Sequence, residues 1–333
     1  MIDKQEKVFL TFLILTYRRP EKVKRLLEQF LDNSWESLMY LNLEIIIADD
    51  YSCDNTKDII ENVLHRLKEF GWRVKYISRE YNLKGDLNLF KGLVDDSKGE
   101  YSWLLCDDDS LIVTEAIKFV KTINDFKPLV AICGFTQGNN KKYITNLSDN
   151  IKISSSFEES VDLISHFPKT STYVFKRELE YLKFENFRRW DGTLLAWIGL
   201  GIYMVGKKNG LGVLAYPNIT VHGDEDYGVL RYGYRVFRNL SIVVRDSINL
   251  AGYDINSFIT KSRFLEDDDE ISLNILGLQA HFSRKTDIIY TKKVLDEEII
   301  FFKSHFINIF LKKERFILFA KLLFILIKNK LFK

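Results

Sequence analysis

Tyr101-Ser102-Trp103-Leu104-Leu105-Cys106-Asp107-Asp108-Asp109-Ser110 is the stretch on which the reading of this chain turns: an apolar run ends in three consecutive aspartates. A short continuous apolar run suits a strand of a sheet that is covered on both faces. The three carboxylates then stand where that strand leaves the core, and they raise one another's pKa unless something positive joins them. Hard oxygen ligands favour Mg²⁺ or Mn²⁺, and Mg²⁺ sites commonly combine one or two carboxylates with substrate phosphates. The alternative is a solvated acidic turn. Strand ends of open α/β sheets are where ligands bind, and this weighs toward a site.

The flanking sequence supplies the rest of such a sheet. Residues 8–15 (VFLTFLIL) read as a first strand, left through Thr16-Tyr17-Arg18-Arg19, and Pro20 opens a helix at its favoured first position. Val23, Leu26, Leu27 and Phe30 give that helix one apolar face. Residues 43–48 (LEIIIA) are a second buried strand ending in Asp49-Asp50, and Asp54, Asn55 or Thr56 can cap the helix that follows. A third strand at 73–78, a short helix through Leu87, Phe90 and Val94, a helix carrying Ala116, Phe119, Val120 and Ile123, and a strand at 129–135 continue the alternation. This spacing predicts an α/β fold with a mostly parallel sheet and right-handed crossovers. In such a sheet Thr16-Tyr17-Arg18, Asp49-Asp50 and Asp107–Asp109 share one edge and converge on one crevice. No G-x-G-x-x-G follows the first strand and no G-x-x-x-x-G-K-[ST] occurs, which sets aside the dinucleotide fingerprint and the P-loop. An acidic crevice remains, with an aromatic residue and a carboxylate able to hold a nucleoside.

Composition narrows the partners. With a net charge of +2, nothing global points to nucleic acid. Cys53, Cys106 and Cys133 are widely spaced, lack metal-ligand spacing, and fit a reducing compartment. The apolar run at 8–15 is too short for a signal peptide, acids precede it, and no small-residue cleavage site follows. No run reaches the roughly 20 apolar residues of a membrane span. Residues 309–333 (IFLKKERFILFAKLLFILIKNKLFK) instead read as a basic amphipathic helix lying in the headgroup layer of the cytoplasmic leaflet. That places the protein in the cytoplasm, peripheral to the inner face of the membrane; packing of the helix on the domain or on a second subunit is the alternative.

TFLILTYRRP (11–20), LEIIIADDYSCDNT (43–56), Gly85-Asp86-Leu87-Asn88 and GEYSWLLCDDDS (99–110) together resemble family 2 glycosyltransferases of the GT-A fold. The last two are most similar to the abequosyltransferase-type branch that builds bacterial surface polysaccharides, and the resemblance covers about residues 8–240. It implies a Rossmann-like central sheet flanked by helices. The catalytic domain would be 1–240, with a nucleotide-sugar half at 1–137 and an acceptor half at 138–240, followed by a C-terminal helical region at 241–333. It also implies a metal-dependent, inverting transfer from a nucleotide-sugar, first of all a UDP-sugar, to a glycan or lipid-linked acceptor, with Mn²⁺ or Mg²⁺ as cofactor.

By the same resemblance Thr16, Tyr17 and Arg18 border the base and diphosphate, Asp50 accepts a base N–H, and Asp86 and Asn88 line the nucleotide pocket. Asp107, Asp108 and Asp109 match the acidic motif, with Asp109 as the direct metal ligand and Asp107 and Asp108 on ribose or metal-bound water; Asp107 is the second candidate ligand. Tyr51 stands where the family has Gly before Ser. Asp191 matches the catalytic base ahead of a helix with Leu195, Ile198, Ile202 and Val205 on one face, and Trp190 replaces the Glu of the family's Glu-Asp pair. Asp191 as a simple helix cap is the other reading, and Glu225 and Asp226 are the fallback bases. His222 is a candidate extra metal ligand, or else a structural or acceptor-site histidine. Two rivals stand beside this reading. A sugar nucleotidyltransferase would want a Gly-rich phosphate loop that TYRRP lacks, and a catalytically inactive membrane-associated nucleotide-binding scaffold would not need three aspartates.

Overall fold

In the computed structural model, which describes residues 7–137, 150–165, 169–223 and 235–254, the first strand is β1 (Leu10–Thr16) and all but one of its residues are buried. Pro20 opens α1 (Pro20–Glu28), which turns Val23, Leu26 and Leu27 inward. β2 (Leu43–Asp49) is buried throughout. Before α2 (Thr56–Phe70), the Asp54 carboxylate accepts the Thr56 backbone N–H at 2.9 Å, and Gly71 closes the helix at φ 107, a left-handed conformation that glycine adopts without steric cost. β3 (Arg73–Ser78) and α3 (Gly85–Lys91) complete this half, and a π turn at Gly92–Asp96 leads into β4 (Tyr101–Cys106).

These strands stand in the order β3-β2-β1-β4, all parallel. The register sets Thr16 beside Asp49 and Leu15 beside Cys106, so three strands end level at one edge. Phe12 lies at the centre of this half, with the rings of Phe30, Trp35, Trp72 and Trp103 at 4.9, 5.4, 5.8 and 5.6 Å. The indoles of Trp72 and Trp103 donate to Phe30 O and Ser171 O, each at 2.8 Å, so burying them leaves no orphaned donor.

Beyond β4 the sheet becomes mixed. A two-residue turn at Asp107 and Asp108 leads into β5 (Asp109–Leu111), followed by α4 (Val113–Phe126), β6 (Val130–Gln137), β7 (Lys152–Ile153), α5 (Phe157–Ser165), β8 (Tyr173–Lys176), α6 (Phe184–Phe187), α7 (Ala196–Lys207) and β9 (Val213–Gly223). The order continues β8-β6-β9-β5: β8 is antiparallel to β4 and β6, β6 and β9 are parallel, and β5 is antiparallel to β9. The parallel sheet expected from the sequence is therefore the β3-β2-β1-β4 half. The short antiparallel additions β5, β7 and β8 have two to four residues, too few to show a period.

α7 is buried along most of its length. A Cβ on Gly199 would come 2.6 Å from the Trp190 ring, so the helix approaches that indole only because residue 199 has no side chain. By its contacts the chain divides into Met1–Asp226 with Val243–Asp254, and Tyr227–Ile242 with Ile255–Lys333. The sheet and residues 243–251 of the last described helix, α8 (Arg235–Ala251), belong to the first unit. Among the described residues no helix is long and apolar enough to cross a membrane. Glu225, Asp226 and the basic segment 309–333 lie outside the described residues.

Candidate active site

At the edge where β1, β2 and β4 end, Asp50 N donates to Thr16 O at 3.0 Å and Asp107 N to Leu15 O at 3.2 Å, which sets the three strand exits side by side. Tyr17 is 39% exposed and the Arg18 guanidinium stands 5.1 Å over its ring. Arg18 itself is at φ 54, and its N–H donates to Ser52 Oγ at 2.6 Å. Asp49 points inward and accepts from Ser52 N at 2.9 Å and from the Tyr76 hydroxyl, so it serves the turn. Asp50 is buried and accepts Leu83 N at 2.7 Å. Burial pushes its carboxyl above the usual range, and the Leu83 N–H opposes that. Tyr51 follows at φ 67 with its ring 42% exposed. The left-handed conformation that a glycine takes freely is here imposed on a bulky side chain.

Asn88 is buried and committed on both sides of its amide. Its Nδ2 donates to Ala48 O at 3.0 Å, and its Oδ1 accepts Arg79 Nε at 2.8 Å, while Arg79 Nη2 donates to Asp96 at 2.6 Å. These bonds tie α3 to β2. Asp86 is buried and reaches across to the segment before α7, where its Oδ2 accepts Leu194 N at 2.7 Å. Burial raises its carboxyl to about 6; Asp191 nearby adds to the rise, and the Leu194 N–H opposes it. Gly192 at φ 78 and Leu194 at φ 65 are both left-handed, so this segment is a tight turn that Asp86 holds closed. Asp191 is exposed on that turn and does not cap α7, whose first residue is Ala196. On its other side the turn is anchored by Asp246, which takes two bonds from Arg189 at 2.8 and 2.7 Å and one from Trp190 Nε1 at 3.0 Å. Trp190, standing where the family has Glu, is thus a buried packing residue.

The acidic triplet is split three ways. Asp107 Oδ2 accepts the Thr16 hydroxyl at 2.7 Å, and Arg19 Nη1 lies 3.1 Å from Asp107 Oδ1 and 3.0 Å from Asp108 Oδ2. Burial raises the Asp107 carboxyl to about 6 against the pull of Thr16 and Arg19. Asp109 is 1% exposed inside β5, where it takes the Ser171 hydroxyl on Oδ2, and Lys169 Nζ lies 2.9 Å from Oδ1. That ammonium is an ion partner by distance but makes no hydrogen bond of good geometry, and Oδ1 has no hydrogen-bond partner among the described residues. Cys106, Asp108 and Asp109 bring ligand-type atoms within 4.8 Å of one another. Asp107 and His222 are not in that trio; the His222 backbone carbonyl accepts the Ser110 hydroxyl at 3.2 Å as β9 pairs with β5. The repulsion expected among the aspartates is met by Arg19 and Lys169. Arg19 lies within the first motif, whereas Lys169, Ser171 and Asp246 carry no motif and become visible only when β8 and α8 are in place.

Comparison with known proteins bears on the family and the fold. The C. jejuni protein named GalNAc(5)-diNAcBac-PP-undecaprenol beta-1,3-glucosyltransferase is 24% identical over 194 residues, which span 57% of this chain and 59% of that protein's length. The S. aureus TarS 1-349 structure superposes with a TM-score of 0.52 at 14% identity, covering 86% of this chain and 90% of TarS 1-349. The Pyrobaculum calidifontis mannosyltransferase PcManGT, solved with GDP-Man and Mn²⁺, gives 0.52 at 14% identity, covering 98% of this chain and 88% of that one. These superpositions are likenesses of fold. The family model for glycosyl transferase family 2 matches residues 11–189, more than half of the chain, and takes in β1, β2, β4, the acidic triplet and the turn up to Arg189; the chain belongs to glycosyl transferase family 2 and is a glycosyltransferase of the GT-A fold.

Proposed function

We propose that this glycosyltransferase moves a sugar with inversion from a nucleotide-sugar, first of all a UDP-sugar, to a hydroxyl of a glycan or lipid-linked acceptor, and that it uses Mn²⁺ or Mg²⁺. One observation carries the reading. Thr16, Asp50 and Asp107–Asp109 meet at one sheet edge, and the turn that bears Asp191 is fastened there through Asp86. In this reading residues 1–240 are the catalytic domain, divided near 137, and 241–333 follow as a helical region.

The donor set fits a small, hard divalent cation. Asp109 Oδ1 is buried with only the Lys169 ammonium, 2.9 Å away, facing it among the described residues, and Asp108 gives Arg19 only its Oδ2. Of the trio Cys106, Asp108 and Asp109, a small hard cation takes carboxylate oxygen before thiol sulfur, so Asp108 and Asp109 would be the ligands. When bound, the cation supplies Lewis-acid stabilisation of the diphosphate leaving group. The chain's own groups do the rest: Tyr17 and Asp50 hold the base, Thr16 orients Asp107 toward the ribose, and Asp191 takes the proton from the acceptor hydroxyl. The names of the C. jejuni glucosyltransferase and of PcManGT with its GDP-Man and Mn²⁺ support a lipid-linked acceptor and a cation here. The basic segment 309–333 would hold the enzyme at the inner face of the membrane, where such an acceptor is met.

The test is a thermal-shift series of the full chain with UDP, GDP, CDP or dTDP, each with Mn²⁺ or Mg²⁺. A ligand at 100 times its Kd stabilises by about 2.7 kcal/mol. A rise in Tm that needs both nucleotide and cation is expected; no rise with any combination would sink the reading.

A further inference from the structure

Lys169 stands outside every motif of this chain, yet its ammonium is the cation closest to the buried end of the acidic triplet. Its backbone is anchored, because Lys169 O accepts both Thr172 N at 3.1 Å and the Thr172 hydroxyl at 2.8 Å. Its side chain is 26% exposed and passes the Phe135 ring, with Nζ 5.2 Å from the ring centre. Asp109 is its only ion partner among the described residues. Arg19 differs, since it bridges two carboxylates and keeps a partner if one is taken.

The arithmetic of charge makes this pairing conditional. A carboxylate oxygen shared by an ammonium and a divalent cation would hold three positive charges within a few ångströms, and their repulsion is strong where water is excluded. A cation on Asp109 therefore displaces Lys169, whose four-carbon stem swings from a fixed backbone. A displaced ammonium in a half-buried crevice needs another anion. The anion that the proposed reaction brings to this edge is the diphosphate of the donor.

We propose that Lys169 is a diphosphate-binding residue held on Asp109 while the donor is absent, so that divalent cation and nucleoside diphosphate bind as a linked pair. The inference rests on the proposed donor site and adds to it a named residue and a direction of coupling. Each ligand favours the release that the other uses, and the linkage is reciprocal. Without Lys169 the cation meets no competitor and the diphosphate loses a partner.

The experiment is Mn²⁺ binding to the full chain, followed by the loss of the free-ion paramagnetic resonance signal, with and without UDP. The wild type is expected to bind Mn²⁺ about tenfold or more tightly when UDP is present. Lys169→Met should bind Mn²⁺ alone about tenfold more tightly than the wild type, and UDP should tighten it further by less than it does in the wild type. Lys169→Gln, which keeps a hydrogen-bonding head without the charge, should behave likewise and decides the matter if the Met variant misfolds. Lys169→Arg should bind Mn²⁺ alone as the wild type does. Mn²⁺ affinity that is unchanged or weaker in both neutral variants overturns the inference while leaving the donor site standing. A wild type that takes up no Mn²⁺ in the presence of UDP, GDP, CDP or dTDP overturns both.

Discussion

Tyr51 shows how much a single backbone conformation can hold in place. At φ 67 it occupies the region where a side chain meets its own carbonyl, and the cost is borne because Asp50 and Ser52 on either side are both tied down. Tyr51→Gly should therefore raise Tm by about 1–3 °C, whereas Tyr51→Ala, which keeps the Cβ, should not. A lower Tm for the glycine variant would mean that the ring packs against the fold more than its exposure indicates. The same scale separates the three aspartates. Consecutive and identical in sequence, they differ in partners among the described residues: Asp107 has Thr16 and Arg19, Asp108 has Arg19, and Asp109 has Lys169 and Ser171.

At the scale of elements, the segment between Phe187 and α7 is held from two sides, by Asp86 at Leu194 and by Asp246 at Arg189 and Trp190. Asp86 makes that fastening depend on pH. Its carboxyl sits at about 6 in the folded chain and near 4 in the unfolded one, so between those values the native state binds the extra proton. The contribution is complete below about pH 4 and is lost as pH rises through about 6. Asp86→Asn keeps an oxygen to accept Leu194 N but cannot ionise. Relative to it, the wild type should lose ~2 kcal/mol between pH 4 and pH 7. Urea denaturation of both proteins across that range checks this, and parallel curves would remove the assignment. The turn itself carries the proposed base. Asp191→Asn should lower kcat about 10²- to 10⁴-fold while nucleotide binding is kept, and equal loss of both would make Asp191 structural.

For the whole molecule, the basic segment 309–333 is the proposed membrane contact. Its apolar residues and clustered lysines lead us to expect that deleting residues 312–333 moves the protein from the membrane to the soluble fraction after cell lysis. An unchanged distribution, with the segment or without it, would place the acceptor's recognition elsewhere in the chain. Legibility also changes at this scale. β1, β2 and α1 could be read to within a residue or two, because a buried parallel strand is a continuous apolar run and α1 shows both its proline start and its apolar face. β5 could not, because three residues show no period and its partner β9 is remote, and nothing in the residues of β8 gives its place between β4 and β6. The sequence by itself therefore determined the family, the parallel half of the sheet, and the sharing of one edge by Thr16, Asp50 and the acidic triplet, since all of these follow from local pattern and strand direction. Only the tertiary structure decided that Lys169 and Arg19 neutralise the triplet, that Asp86 grips the turn of Asp191, and that Trp190 is core. Those facts depend on contacts between residues far apart in the chain, where charge and packing are set by distance in space and leave no periodic trace in the sequence.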